Sequence, residues 1–188
     1  MLKKEYDDQV FQKYSEKDLT HAHFSCCRFE KCDFTQSQFT SSRFLECTFN
    51  QCNLSLIACK GCRFQDVVFD HCKLVGVNFS ACDPQFLKMK FTQCLIDTCN
   101  FSDLNLKGTP FLECTLRDAH FTQSNLSEAK FTGSDLRGSI FHKTDFTKAD
   151  FVGAIHYSIN PLTNTLKMAK FSKPEALALL DHLGIVLE

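Results

Sequence analysis

A large apolar residue returns at every fifth position between Leu19 and Phe151, and this beat constrains the chain more than any other feature it carries. It opens with Phe24, Phe29, Phe34, Phe39, Phe44 and Phe49 and continues through Leu54, Cys59, Phe64, Phe69, Leu74 and Phe79. It resumes at Phe86 and runs through Phe91, Ile96, Phe101, Leu106, Phe111, Leu116, Phe121, Leu126, Phe131, Leu136, Phe141, Phe146 and Phe151. Of the chain's 20 Phe, only Phe11 and Phe171 fall outside this series. A period of five matches neither the two-residue alternation of a half-buried strand nor the 3.6-residue turn of a helix. It specifies a repeat protein, whose units bury their apolar faces by stacking on one another.

The position two residues before each beat is also selective. It holds Ala22, Cys27, Cys32, Ser37, Ser42, Cys47 and Cys52 in the first half, and mostly Cys, Ser, Thr or Ala in the second. Each unit thus offers one large and one small inward group and leaves three positions for solvent. Ser124-Asn125-Leu126, Ser134-Asp135-Leu136, Thr144-Asp145-Phe146 and Ala149-Asp150-Phe151 resemble the signature of pentapeptide repeat proteins, and the resemblance spans most of the chain. It implies an all-β fold, a right-handed quadrilateral parallel β-helix with four units per square coil and residues twenty apart stacked directly.

The twelve cysteines fit that register. Cys27, Cys32, Cys47, Cys52, Cys62, Cys72, Cys94, Cys99 and Cys114 take the small inward position and Cys59 a large one. The implied stacking makes one column of Cys32, Cys52 and Cys72 and another of Cys94 and Cys114. Coils about 4.8 Å apart hold parallel side chains beyond the ~2.05 Å of a disulfide, so these cysteines are expected to be free and to pack as small apolar groups. Cys59-Lys60-Gly61-Cys62, with His71 and Cys72 downstream, has zinc-like spacing. The repeat sends these groups to successive walls, however, and no second pair completes four ligands. No metal or cofactor is expected.

Residues 1–18 read as an N-terminal cap in which Val10 and Phe11 close the first coil, with a frayed tail as the alternative. The first solenoid half is then 19–79, with 13 beats, and the second 86–155, with 14 beats, nearly seven coils in all. Between them, 80–85 is a register break of two extra residues around Asp83 and Pro84, a bulge or kink, either a tolerated insertion or a hinge. Residues 156–188 read as a C-terminal cap. In it, Ser172-Lys173-Pro174-Glu175 forms a capping box for a short C-terminal α-helix carrying Ala176, Leu179, Leu180 and Leu183 and stopped by Gly184.

At 188 residues with 23% charged the chain makes one domain. It has no apolar run of membrane-spanning length and begins with a charged segment, so it is expected to be cytoplasmic and not to engage a membrane. A net charge of -1 argues against nucleic-acid binding through a basic surface. No catalytic motif is present, and a solid solenoid offers no reaction pocket, so no enzyme is expected.

The segment from Ala178 to Ile185 is similar to the C-terminal end of the gyrase-protecting branch of the family, the Qnr-type quinolone-resistance and microcin-immunity proteins. That resemblance implies a homodimer through Leu177, Leu179, Leu180, Leu183 and Ile185. It also implies a DNA-mimicking rod that binds DNA gyrase or topoisomerase IV and protects it from poisons. The outward acids available for such a surface are Glu30, Glu46, Asp66, Asp70, Asp103, Glu113, Asp118, Glu128, Asp135, Asp145 and Asp150. Arg43 and Arg63 share the face of Glu46 and Asp66 and dilute it. The alternative is an interaction scaffold for an unrelated partner, using outward Leu45, Leu56, Val68, Val75, Leu95, Leu112, Ile140 and Val152.

Overall fold

Each unit forms one wall of a square coil because its backbone turns after the beat residue. At many units the beat carbonyl accepts from the N–H three residues on, as in Ser37 to Phe34 at 2.9 Å, Ser42 to Phe39 at 3.0 Å and Ala129 to Leu126 at 3.1 Å. The residue two after the beat is left-handed, with φ of 59° at Gln36, 56° at Ser41 and 61° at Glu128. This is the geometry a type II turn demands. A left-handed conformation costs a residue with a Cβ about 1–2 kcal/mol. The corner N–H is satisfied by the next coil, as in Gln36 to the Ser55 carbonyl at 2.9 Å and Glu46 to that of Gln65 at 2.9 Å.

The structure, a computed structural model, describes residues 4–185. The first wall stacks Glu5–Asp7, His23–Ser25, Arg43–Leu45 and Arg63–Gln65 as a parallel sheet. The second stacks Val10–Gln12, Arg28–Glu30, Thr48–Asn50, Val67–Asp70, Met89–Thr92 and Phe111–Leu112. It continues through bridges from Pro110 to Lys130 and Lys130 to Asp150 into the pair Asp150–Phe151 and Lys170–Phe171. The third wall carries Lys73–Val75, Leu95–Asp97 and Thr115–Arg117. The fourth is joined only by single bridges such as Asp18 to Gln38 and Asn100 to His120. All pairings are parallel, as the resemblance implies.

The beat residues fill the interior completely. Phe11, Phe29, Phe49, Phe69, Phe91, Phe111, Phe131, Phe151 and Phe171 form one unbroken ladder inside the second wall. Successive ring centroids lie 4.6–5.3 Å apart and interplanar angles are 12° or less. The ladder explains the two phenylalanines outside the beat. Phe11 stacks on Phe29 because the first coil is two residues short, pairing across 18 positions where Phe24 and Phe44 pair across 20. Phe171 stacks on Phe151 in the ordinary register.

The solenoid therefore extends beyond both expected limits. Residues 4–18 are not a separate cap but the first coil, whose strands pair with His23–Ser25 and Arg28–Glu30. At the other end the beat is lost at His156 and Pro161, yet another coil continues through bridges from Asp135 to Ile155 and Asp145 to Thr165. Tyr157 and Ile159 become its inward groups. A five-residue count misses them because they occupy displaced positions.

The break at 80–85 is a fastened bulge. Asp83 still lies in register, its N–H 2.9 Å from the Cys62 carbonyl. Pro84–Phe86 makes a 3-10 turn in which the Asp83 carboxylate accepts from the Gln85 N–H at 3.1 Å. By Phe91 the offset from Phe69 is 22 residues. Absorbing the two extra residues swings Phe86 outward, under the Arg63 guanidinium at 4.4 Å, while Leu87 packs against the core in its place. Arg63 also donates to Asp83 at 2.9 Å and so ties the coil before the bulge to the bulge itself.

The C-terminal helix is present but is 3-10 rather than α, as two turns at Glu175–Leu179 and Asp181–Leu183. Its bonds run three residues back, from Leu177 to Pro174, Leu180 to Leu177 and Leu183 to Leu180. The expected capping box does not form. The Ser172 hydroxyl instead accepts from the Gly153 N–H at 3.1 Å, which fixes the segment to the preceding coil and leaves the first turn without a side-chain cap. Gly184, left-handed at φ 68°, ends the helix as expected. Val186 and Leu187 lie outside the described residues.

Candidate protein-binding surfaces

The inward cysteines stack in register. The bulge restores the register across the break, so the two expected columns are one: Cys32, Cys52, Cys72, Cys94 and Cys114. The thiols of the first four donate to the carbonyls of Phe11, Phe29, Phe49 and Phe69 at 3.2–3.4 Å. Ser134 continues the column, its hydroxyl 2.9 Å from the Phe111 carbonyl. Hydrogen bonding to Cys52 and Cys94, together with burial, pushes the Cys72 thiol up. Burial, helped by neighbouring thiols and, at Cys99, by Asp97, carries Cys47 and Cys99 to about 12.

Cys26 is exposed and the other eleven are buried. A thiol reagent is therefore expected to modify one cysteine in native protein and all twelve in denaturant. Burial and the nearby carboxylates of Glu46, Asp7 and Asp8 raise the Cys26 thiol, so its reaction at neutral pH is expected to be slower than that of free cysteine and faster after Glu46→Lys. A second thiol modified at the same rate would defeat this account of the columns.

The eleven candidate acids fall on all four walls. Glu46, Asp66, Glu128 and Asp145 lie on the first, Glu30, Asp70, Glu113 and Asp150 on the second, Asp118 and Asp135 on the third, and Asp103 on the fourth. Most already have partners in neighbouring coils. Asp66 pairs with Lys88, and Glu128 with Lys107 at 3.4 Å. Gln12 donates to Glu30, Asn50 to Asp70, Gln93 to Glu113 and Gln123 to Asp103, all within 2.9–3.3 Å.

Three acids serve the backbone. Asp145 accepts from the Thr147 N–H at 2.8 Å, Asp150 from that of Val152 at 3.0 Å and Asp135 from that of Arg137 at 3.1 Å. Burial works to raise Asp135, but its hydrogen bonds to His156, at 2.9 Å, and to Arg137 outweigh this and hold it below the usual carboxylate range. Asp118 sits at a corner under Gly138, where an added Cβ would stand 2.1 Å from its carboxylate oxygen and where φ is +73°. A side chain there would have to displace that carboxylate and adopt a left-handed backbone. Each exposed pair stabilises by at most about 1 kcal/mol, but together they leave alternating charge rather than a continuous acidic stripe.

The beat conceals how special the corner positions are. Gly61, Gly76, Gly108, Gly133, Gly138 and Gly153 all stand two residues after a beat. That regularity was a readable sign of the left-handed corners, and hence of which outward acids sit at an edge and which on a wall.

The apolar candidates are similarly dispersed. Leu45, Val68, Val75, Leu95 and Leu112 are half-buried, whereas Leu56, Ile140 and Val152 are exposed on different walls. Exposed apolar groups collect instead at the C-terminal end, where Leu162, Met168, Leu177, Leu183 and Ile185 stand open. Of the expected dimer residues, Leu179 leans on the core and Leu180 is half-buried. Beside the bulge lies a groove of about 320 Å³ where the first wall meets the second, lined by Asp66 to Val68, Lys88 to Lys90 and Lys107 to Pro110. Among the described residues, no helix is long and apolar enough to cross a membrane.

Comparison with known proteins matches the chain's organisation. Among solved structures, a trypsin-treated form of QnrB1, described as a plasmid-mediated fluoroquinolone resistance protein, superposes with a TM-score of 0.65 at 21% identity. The match covers 98% of this chain and 90% of that one. HetL from Nostoc sp. strain PCC 7120, described as involved in heterocyst differentiation regulation, superposes with a TM-score of 0.60 at 18% identity and 90% coverage of both chains. At these identities the likeness establishes a shared fold. No curated protein matches by sequence. The profile of the pentapeptide repeat region matches residues 22–85 and 84–151, most of the chain, and with the five-residue walls and square coils it places this protein in the pentapeptide repeat family.

Proposed function

We propose that this chain is a non-catalytic protein-recognition rod, that it works as a homodimer joined at its C-terminal ends, and that its partner is a type II topoisomerase of the gyrase kind. The observation that carries the recognition reading is the interior. The coils are filled by packed side chains, so nearly all charged groups are displayed on the outside. A surface of short paired charges around a rigid core suits docking to a protein face. The topoisomerase reading draws on the C-terminal resemblance and on the fold shared with QnrB1, whose description names fluoroquinolone resistance.

The paired acids alter how such a contact should behave. A DNA mimic with an open acidic stripe would lose affinity steeply as salt rises, whereas a surface of neutralised pairs should lose little. Added to purified gyrase, the protein is expected to reduce poison-induced DNA cleavage and, at high concentration, to inhibit supercoiling, with only weak dependence on salt. If it does neither, the topoisomerase reading is dropped. The second reading, a scaffold for an unrelated protein, would then stand, favoured by the mixed charge on all four walls.

A further inference from the structure

We infer that the groove beside the bulge is a docking site for an extended acidic segment of a partner protein that carries an apolar side chain. The inference rests on the protein-recognition reading and says what kind of chain is recognised. The groove lies where the coil is lengthened by two residues and where the next corner, Gly108, has no side chain to fill the space. A Cβ there would meet nothing within 4 Å. Its floor is Met89, 3% exposed, with half-buried Val68 and Pro110 beside it. Its rim carries the exposed amino groups of Lys88, Lys90 and Lys107.

Charge along this edge is polarised. Lys88 and Lys107 are partly neutralised by Asp66 and Glu128, but Lys90 makes no ion pair among the described residues. Beyond the groove the same edge continues with exposed Lys130, Lys148, Lys167 and Lys170. Of the acids among them, Glu128 pairs with Lys107 and Asp150 is turned onto the Val152 N–H. Before the groove the same edge carries Asp7, Asp8 and Glu46 against one exposed cation, Arg28, and Asp66 lines the groove itself. An acidic chain is therefore attracted toward the C-terminal half and repelled from the N-terminal half. A convex edge gives a second rod little area to bury, whereas a groove accepts one extended chain. The apolar floor favours a peptide, and no aromatic ring lines the groove for a nucleic-acid base to stack on.

The test uses full-length protein and a fluorescent peptide of Asp and Glu around one central Leu, read by anisotropy at low salt. Saturable binding is expected. Lys90→Glu combined with Lys107→Glu should weaken it about tenfold, since both charges turn from attractive to repulsive. Replacing the central Leu by Ser should weaken it severalfold, and single-stranded DNA of equal charge should not compete. An unchanged native thiol count shows that the variant is folded. Absence of saturable binding, indifference to the double reversal, or displacement by DNA as readily as by peptide would overturn the inference. If gyrase is protected while the peptide does not bind, the groove assignment falls and the recognition reading survives.

Discussion

Phe91→Ala is expected to destabilise the protein by about 3–5 kcal/mol, measured as a lower midpoint in urea unfolding. Phe91 is fully buried at the middle of the nine-ring ladder. It is stacked between Phe69 at 5.1 Å and Phe111 at 5.0 Å and met edge-on by Phe79 and Phe101. Truncation removes both stacks and leaves a cavity that cannot collapse, because the coils above and below are held at a fixed spacing by backbone ladders. Phe171→Ala, at the open end of the same ladder, loses one stack of 4.9 Å from a half-exposed ring and should cost clearly less. A solenoid is stabilised mainly between neighbouring coils, so the central substitution should also uncouple the two halves and broaden the transition. A loss of about 1 kcal/mol or less at Phe91 would mean that the ladder is not what holds the coils together.

The ladder marks how far the sequence could be read. The five-residue beat gave walls, coils and inward cysteines because the period is strict wherever both neighbours are complete coils. It failed where a coil differs in length. Phe11 and Phe171 look stray until the first coil is known to be two residues short and the last to use Tyr157 and Ile159 as inward groups. Phe86 keeps the beat but not the position, because the bulge that restores register to Phe91 has to turn one side chain out. The capping box at Ser172 misled for a different reason. A serine that can cap a helix can equally bond the neighbouring coil, and here the Gly153 N–H reaches it.

The candidate surface was legible in identity but not in state. That Glu30, Asp70, Glu113 and Asp103 point outward follows from the register. That each meets an amide twenty positions away, or eighteen for Gln12 and Glu30, depends on what stacks above it. The acids preceding a beat are a separate class. Asp135, Asp145 and Asp150 repeat one contact to the N–H two residues on, so reversing their charge would disturb a turn before it tested a binding face. Asp118 is a cleaner target, provided Gly138 is left intact.

Leu177→Asp together with Leu183→Asp is expected to convert a homodimer into a monomer, seen as a halved mass in sedimentation across a range of concentrations. Leu177 is 53% exposed, Leu183 45% and Ile185 50%, and Leu162 and Met168 add 74% and 68% on the last coil. Apolar groups left open together at one end of a rod favour a contact surface, and a two-fold contact would place the same groups on both sides. Placing carboxylates into that contact without partners costs several kcal/mol, enough to raise the dissociation constant by about a hundredfold or more. The exposed pair is the proper target because Leu179 packs against the core. Leu179→Asp should undock the helix and uncover the last coil, where the Tyr157 hydroxyl is buried with no hydrogen-bond partner among the described residues. The two substitutions thus separate association from folding: the exposed pair should give a stable monomer with the native thiol count, and Leu179→Asp a less stable chain. Wild-type protein that sediments as a monomer at high concentration, or a double variant that remains dimeric, would remove the C-terminal end as the dimer contact.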